Sequence, residues 1–255
     1  MINDIVKIVE KTGDMIVSNS KIGKTGYWDG TQFKANADQV AHNTIVNSLK
    51  QLDSTIPIIS EEEPETFFDS RPSKYWLVDP IDGTASYAQG FSGFVTQIAL
   101  IEKKKPVLAA IYAPKLDSLY TSVKGKGAYL NGRSLKLLNN RNLNTLIDNN
   151  PTPKGLTKEV FNSFSISEYV ECGSISLKIC KIADGTADLF VKNIEVKDWD
   201  IAAPQLILEE AGGSIRDIHG NAYLFDKQYA NKGLIASYSM ENCTLVSAWY
   251  DKHYT

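Results

Sequence analysis

Three separated stretches of the chain end an apolar run in acids, and this pattern constrains the fold more than any other feature: PIISEEEP at 57–64, YWLVDPIDGT at 75–84 and VKDWDIAAP at 196–204. A strand that leaves a core at Ser60 or Val78 delivers its next side chains to one rim, where Glu61, Asp79 and Asp82 are expected to converge. Asp200 falls where a helix would begin, so its carboxylate is expected both to cap that helix and to face the same rim. Carboxylates that face one another repel unless cations sit between them. Hard oxygen ligands of this kind suit Mg²⁺, which keeps waters and shares its remaining positions with phosphate oxygens.

Within DPIDGT the proline fixes the backbone so that Asp79 and Asp82 point into one site, with the Ile81 carbonyl turned toward the same space. Gly83 lets a backbone amide approach an anion closely, and Thr84 follows at an expected helix N-terminus, where N–H groups and the helix dipole favour phosphate. Each piece also has a structural explanation: DP and DG are common turn dipeptides, EEE is often a solvated acidic run, and Trp199 with Asp200 can be a capped helix start. Their joint occurrence at the ends of apolar runs favours one shared site over three coincidences.

The rest of the chain supplies a mixed α and β framework. Helical spacing places Ile5, Ile8, Val9, Thr12, Met15 and Ile16 on one face over 4–19, and Val40, Ala41, Thr44, Ile45 and Leu49 on one face over 38–52. Between them, 21–37 has no clear period and reads as a long, functional loop that closes over the site. Strands are expected over 56–59, 75–78, 96–101, 107–112 and 118–122, with turns at 124–127 and 131–132. The second half predicts helices over 174–184, 200–211 and 240–251 and a strand over 187–191, with Gly212 and Gly213 ending the middle helix. The Asn-rich segment 139–150 is the candidate link between an N-terminal half, about 1–140, and a C-terminal half, about 141–255, of one domain.

Composition excludes several classes. With 255 residues and 43% hydrophobic content the chain can bury a full core. A net charge of −3 gives no reason to expect a nucleic-acid polymer as partner, and the one dense basic run, 103–105, reads as a hairpin tip. No apolar stretch reaches the roughly 20 residues of a membrane span, and the N-terminus lacks a signal-peptide layout, so a cytoplasmic protein is expected. Cys172, Cys180 and Cys243 have no CxxC spacing and read as reduced core residues. His42, His219 and His253 are assigned to helix-surface or turn positions.

At these residues the chain resembles the lithium-sensitive, Mg²⁺-dependent phosphatase superfamily of inositol monophosphatases, fructose-1,6-bisphosphatases and 3′(2′),5′-bisphosphate nucleotidases. The resemblance rests on SEEEP, WLVDPIDGT and WDIAAPQLILEEAGG, and runs over nearly the whole length. It implies the layered αβαβα sandwich of that superfamily, frequent homodimers, and a small phosphorylated metabolite as partner. It also implies that Glu61, Asp79, the Ile81 carbonyl, Asp82 and Asp200 hold two or three Mg²⁺ ions, and that Asp38 supports the Thr84 hydroxyl, which with Glu61 orients the attacking water. Ala35 stands where the superfamily usually has threonine, and an N-cap role for Asp38 is compatible with the catalytic one.

The flanking residues lean toward the nucleotidases. SEEEP and GSISLKICKIADGTADLF at 173–190 resemble their segments, and that likeness implies that Gly173, Ser174 and Lys178 line the nucleotide side of the pocket. Two departures remain: the Arg-Phe-Gly-Pro of bacterial nucleotidases is absent, and so is the Glu that an inositol phosphatase carries near Asn193. The expected reaction is release of the 3′-phosphate of adenosine 3′,5′-bisphosphate, with inositol 1-phosphate or another sugar phosphate as the alternative. A non-catalytic metabolite sensor is a third reading, against which the intact acids argue.

Overall fold

The structure, a computed structural model, describes residues 1–18, 26–28, 33–63, 70–137, 142–226 and 229–255. The chain opens with α1 (Ile2–Ser18) and, after a short antiparallel pair of β1 (Gly26–Trp28) with β2 (Phe33–Ala35), α2 (Asn36–Leu52). The stretch 21–37 is therefore not one loop: it contains this pair, while 21–25 and 29–32 lie outside the described residues. α1 buries Ile5, Ile8 and Val9 and α2 buries Ala41, Ile45 and Leu49 as their spacing predicts, but Val40 is exposed, and His42 and Val46 take the buried face of α2 instead. Because α2 starts at Asn36, Asp38 is its third residue and not its N-cap.

A seven-stranded sheet follows in chain order: β3 (Ile58–Ser60), β4 (Lys74–Asp82), β5 (Val95–Glu102), β6 (Lys105–Ala113), β7 (Ser118–Val123), β8 (Ala128–Leu130) and β9 (Arg133–Leu135). β3 joins β4 in parallel, and the remaining pairs are antiparallel. α3 (Thr84–Gln89) connects β4 to β5. The basic run does form the β5–β6 turn, with Lys103 and Lys104 at positive φ.

The second sheet has five strands, β10 (Thr145–Asp148), β11 (Glu168–Glu171), β12 (Leu189–Lys197), β13 (Ser214–Arg216) and β14 (Ala230–Ser237), in the spatial order β11-β10-β12-β14-β13. Around it run α4 (Gly155–Ser163), α5 (Ile175–Ala183), α6 (Asp198–Glu210) and α7 (Met240–Tyr254). The Asn-rich segment is not a linker over its full length: 138–141 lie outside the described residues, and 145–148 form a wholly buried strand.

Alternation along β4 shows how the layers stack. Trp76 and Val78 face α1 and α2, whereas Tyr75 and Leu77 face the core that α5 and α6 fill between the two sheets. Beyond the second sheet, α4 and α7 contribute Val160, Cys243 and Val246 to a third cluster against Leu146, Leu189 and Ile235. The order helix, sheet, helix, sheet, helix is the αβαβα sandwich. α6 carries ten buried residues because it lies between two sheets, and Gly212 takes the left-handed conformation just past its end. No described helix is long and apolar enough to cross a membrane. The three cysteines form no disulfide.

Candidate active site

A break in the β4–β5 ladder sets the site. Asp79 and Asp82 stand opposite Gln97 and Val95, so three steps on one strand face two on the other. Residues three apart on a regular strand point to opposite faces; the extra residue of a bulge turns both carboxylates to one side. The Thr96 hydroxyl donates to the Pro80 carbonyl at 2.8 Å and so satisfies a group the bulge takes out of the ladder.

α6 brings the third acid. Asp200 is the third residue of the helix and not its first, because Asp198 and Trp199 already have helical conformation. Its Oδ2 accepts the Lys197 N–H at 2.9 Å, which still caps the helix, from inside. Asp79, Asp82 and Asp200 then place one carboxylate oxygen each within 4.8 Å of one another.

Such crowding has an electrostatic signature. Burial, followed by Glu61, Asp82 and Asp200, pushes the Asp79 carboxyl well above the ordinary range. Asp200 is pushed the same way by burial, Asp82 and Glu61. Asp82 is supported by protein donors: the Ser174 hydroxyl at 2.6 Å and the Ser176 N–H at 2.7 Å. Asp79 has only Gln97 Nε2, at 3.3 Å, and its buried Oδ1 has no hydrogen-bond partner among the described residues. A buried, crowded set of acids with an orphaned oxygen fits a hard cation.

Glu61 sits in the turn after β3, lines the same cavity, and donates its backbone N–H to the Val78 carbonyl at 3.2 Å. It stands outside the three-aspartate cluster. His42 is not a surface residue: it is 1% exposed, with Nδ1 2.8 Å from Ser60 Oγ and Nε2 3.4 Å from Glu63 Oε1, so it braces the Glu61 turn. Thr84 is the first residue of α3, and its hydroxyl donates to Asp38 Oδ1 at 3.1 Å and to the Ile81 carbonyl at 2.9 Å. With the single proton shared between those acceptors, the lone pairs on Thr84 Oγ1 are left to accept from another group. Ile81 lines the cavity, and its carbonyl, bonded to Thr84, has a second lone pair.

Gly83 precedes α3 at φ +90°, and a Cβ there would lie 2.9 Å from the Gly93 carbonyl, so both conformation and space require glycine. The cavity, about 770 Å³, is lined by Glu61, Asp79, Ile81, Asp82, Gly83, Thr84 and Asp200 together with Gly173 and Lys178. Ser174 does not line it. That residue is fully buried, caps α5 by accepting the Leu177 N–H, and spends its proton on Asp82. Lys178 is 1% exposed and donates to the carbonyls of Cys172 and Gly173 at 3.1 and 2.9 Å. Burial pushes its pKa down to about 8.

Sequence reasoning missed Gln97, Ser176, Asn149, Lys192 and Lys197. Gln97 holds Asp79 and Ser176, and a lone glutamine inside the apolar run of β5 was its available signal. Asn149, Lys192 and Lys197 reach the cavity from β12 and the end of β10, which no local pattern reveals.

Comparison with known proteins places this geometry. The model of the inositol monophosphatase family matches residues 2–251. The chain is 34% identical over 203 residues to the 3′(2′),5′-bisphosphate nucleotidase CysQ of Salmonella typhimurium, covering 77% of this chain and 82% of that protein. It is 32% identical over 197 residues to inositol monophosphatase 1 of Solanum lycopersicum, covering 73% and 72%. The solved Thermotoga maritima IMPase shares the fold at a TM-score of 0.83 and 22% identity, over 98% of this chain and 97% of that one. With the acidic cluster in place and the match spanning almost every residue, the chain belongs to the inositol monophosphatase family of metal-dependent phosphatases.

Proposed function

We propose that this chain hydrolyses the 3′-phosphate of adenosine 3′,5′-bisphosphate to AMP and phosphate, using Mg²⁺ held by Asp79, Asp82, Asp200, Glu61 and the Ile81 carbonyl, two or three ions in all. The observation that carries the substrate reading is Lys178. Its ammonium is buried, the two bonds given above go to neutral carbonyls, and among the described residues no acid forms an ion pair with it, Asp148 and Asp82 acting only from farther off. A buried charge without a counter-charge is costly, and an anionic group of the substrate compensates it. A bisphosphate brings a second phosphate for that position, which inositol 1-phosphate lacks. A further cavity of about 530 Å³ adjoins the first, shares Gly83, Ala85, Asn149 and Gly173 with it, and offers Phe91 and Leu116 to a nucleoside.

Bound magnesium supplies charge neutralisation for the phosphate and makes water acidic enough to attack near neutral pH. The chain's own residues do the rest. Thr84 Oγ1 accepts a hydrogen bond from the attacking water because its own proton is committed to Asp38 and Ile81, and the Glu61 carboxylate accepts the water's other hydrogen and takes that proton as attack proceeds, so a water lone pair faces phosphorus. Gly83 admits the phosphate oxygens close to the backbone at the start of α3. Attack is in line, and no covalent enzyme intermediate forms. A homodimer in the cytoplasm, inhibited by lithium, is the expected state.

Similarity to the plant inositol monophosphatase sustains the second reading, inositol 1-phosphate or another sugar phosphate. Phosphate release with Mg²⁺ from adenosine 3′,5′-bisphosphate and inositol 1-phosphate, measured in parallel as kcat/KM, separates the two. A preference for the nucleotide of about tenfold or more supports the proposal, since one charge-assisted contact is worth that much. Preference for inositol phosphate overturns it, and binding without release from either indicates a sensor.

A further inference from the structure

Arg71 lies on the segment that leads from the Glu61 turn into β4, and its side chain is 3% exposed. Its Nη1 stands 2.5 Å from Oδ2 of Asp198, itself 2% exposed. The same nitrogen donates to the Tyr75 hydroxyl at 2.9 Å, and the guanidinium carbon lies 3.9 Å from the centre of the Tyr229 ring. Asp198 is held from two further directions: Oδ1 accepts from Asn231 Nδ2 at 2.7 Å, and its backbone N–H donates to the Tyr229 carbonyl at 2.9 Å. Tyr75 precedes Asp79 by four residues on β4, and Asp198 opens α6 two residues before Asp200. One buried guanidinium thus ties together the elements that carry the acids.

Stability alone does not account for this pair. Desolvating two charges offsets most of their attraction, and apolar side chains of equal volume usually serve a core as well or better. Geometry does account for it. Asp200 is repelled by Asp79 and Asp82, and that repulsion acts to swing the first turn of α6 away from β4. We propose that Arg71 is a positioning residue: through Asp198 it holds the first turn of α6 against β4 and so fixes Asp200 at metal-binding distance from Asp79 and Asp82. The inference rests on the metal site proposed above.

The test is calorimetric titration of Mg²⁺ into the metal-free full chain, with denaturant unfolding in the absence of metal alongside. Wild type is compared with Arg71→Met, Arg71→Lys, the double variant Arg71→Met/Asp198→Asn, and Lys74→Met, a control that removes an exposed ion pair between Lys74 on β4 and Glu102 on β5 and should leave Mg²⁺ affinity unchanged. Arg71→Met is expected to weaken Mg²⁺ binding by about tenfold or more, as groups that orient metal ligands do when removed. Arg71→Lys keeps the charge and loses the planar fork, so it should keep the fold and still bind Mg²⁺ more weakly. The double variant removes both buried charges and should regain resistance to denaturant without regaining Mg²⁺ affinity, a separation that a merely structural pair would not produce. Mg²⁺ affinity within about twofold of wild type in both Arg71→Lys and the double variant overturns the proposal, whatever their stability, because a positioning group acts through the ligand set. If wild type itself binds no Mg²⁺, the metal site fails, and the positioning role fails with it.

Discussion

The β4 side of the cavity and the α5 side use their polar residues in opposite ways. On β4, Asp79 has one weak protein donor and an oxygen with no partner among the described residues, and burial among other acids holds its carboxyl far above the usual range. On the α5 side, Ser174 and Ser176 are committed: their hydroxyls serve Asp82 and the Asp200 carbonyl. Polar groups left unsatisfied on one wall mark where an external ligand is required, and groups satisfied on the other mark the support that aims them. Changes on β4 should therefore trade activity for stability, and changes on α5 should lose both together.

The largest expected effect breaks the β4 wall. Asp79→Asn and Asp200→Asn should lower phosphate release by about 10³-fold, the upper range for losing one preorganised electrostatic contact. Metal-free Asp79→Asn should unfold at a higher denaturant concentration than wild type, because a buried repulsive charge is gone. A variant with near-normal turnover would remove Asp79 from the ligand set.

A second prediction sharpens the electrostatic half of the comparison. Asp79 and Asp200 have folded pKa values raised above the unfolded 3.8, so the folded protein binds more protons than the unfolded chain over the window above 3.8. Stability of the metal-free protein should then fall as pH rises through that window and be fully present below it. Saturating Mg²⁺ should flatten this dependence and add about 2.7 kcal/mol at a hundredfold excess over Kd. Thermal unfolding from pH 5 to pH 8 with and without Mg²⁺ measures both, and identical pH profiles would refute the shared cation.

The smallest effect concerns the α5 wall. Ser174→Ala removes a helix cap and the shortest donor to Asp82, and should destabilise the fold by about 1 kcal/mol. kcat should fall with KM nearly unchanged, since Ser174 supports a ligand and does not line the cavity. A rise in KM alone would return Ser174 to the substrate wall.

The acid-bearing motifs, most of the amphipathic faces of α1 and α2, and five strands of the first sheet, β3 to β7, were legible in the chain because each is a local pattern, whereas the three-residue strands β8 and β9 are too short to show one. Period 3.6 or 2 and a run ending in acids need no knowledge of what lies across the core. Helix starts were less legible: Asp38 and Asp200 are each the third residue of their helix, and at α6 the Asp198 N–H bonded to the Tyr229 carbonyl holds the added first residues. His42 looked like a surface residue because its partners, Ser60 and Glu63, lie on another element. The strand within the Asn-rich segment was hidden because its partners, β11 and β12, come later in the chain.

By itself the sequence determined which residues supply the clustered carboxylates, since that chemistry resides in side-chain type and short spacing. Only the tertiary structure decided which carboxylate oxygen lacks a partner, that Ser174 faces Asp82 and not the cavity, and that Arg71 grips Asp198. Each of those facts is a distance between groups far apart in the chain, fixed by how two sheets and the helices between them pack.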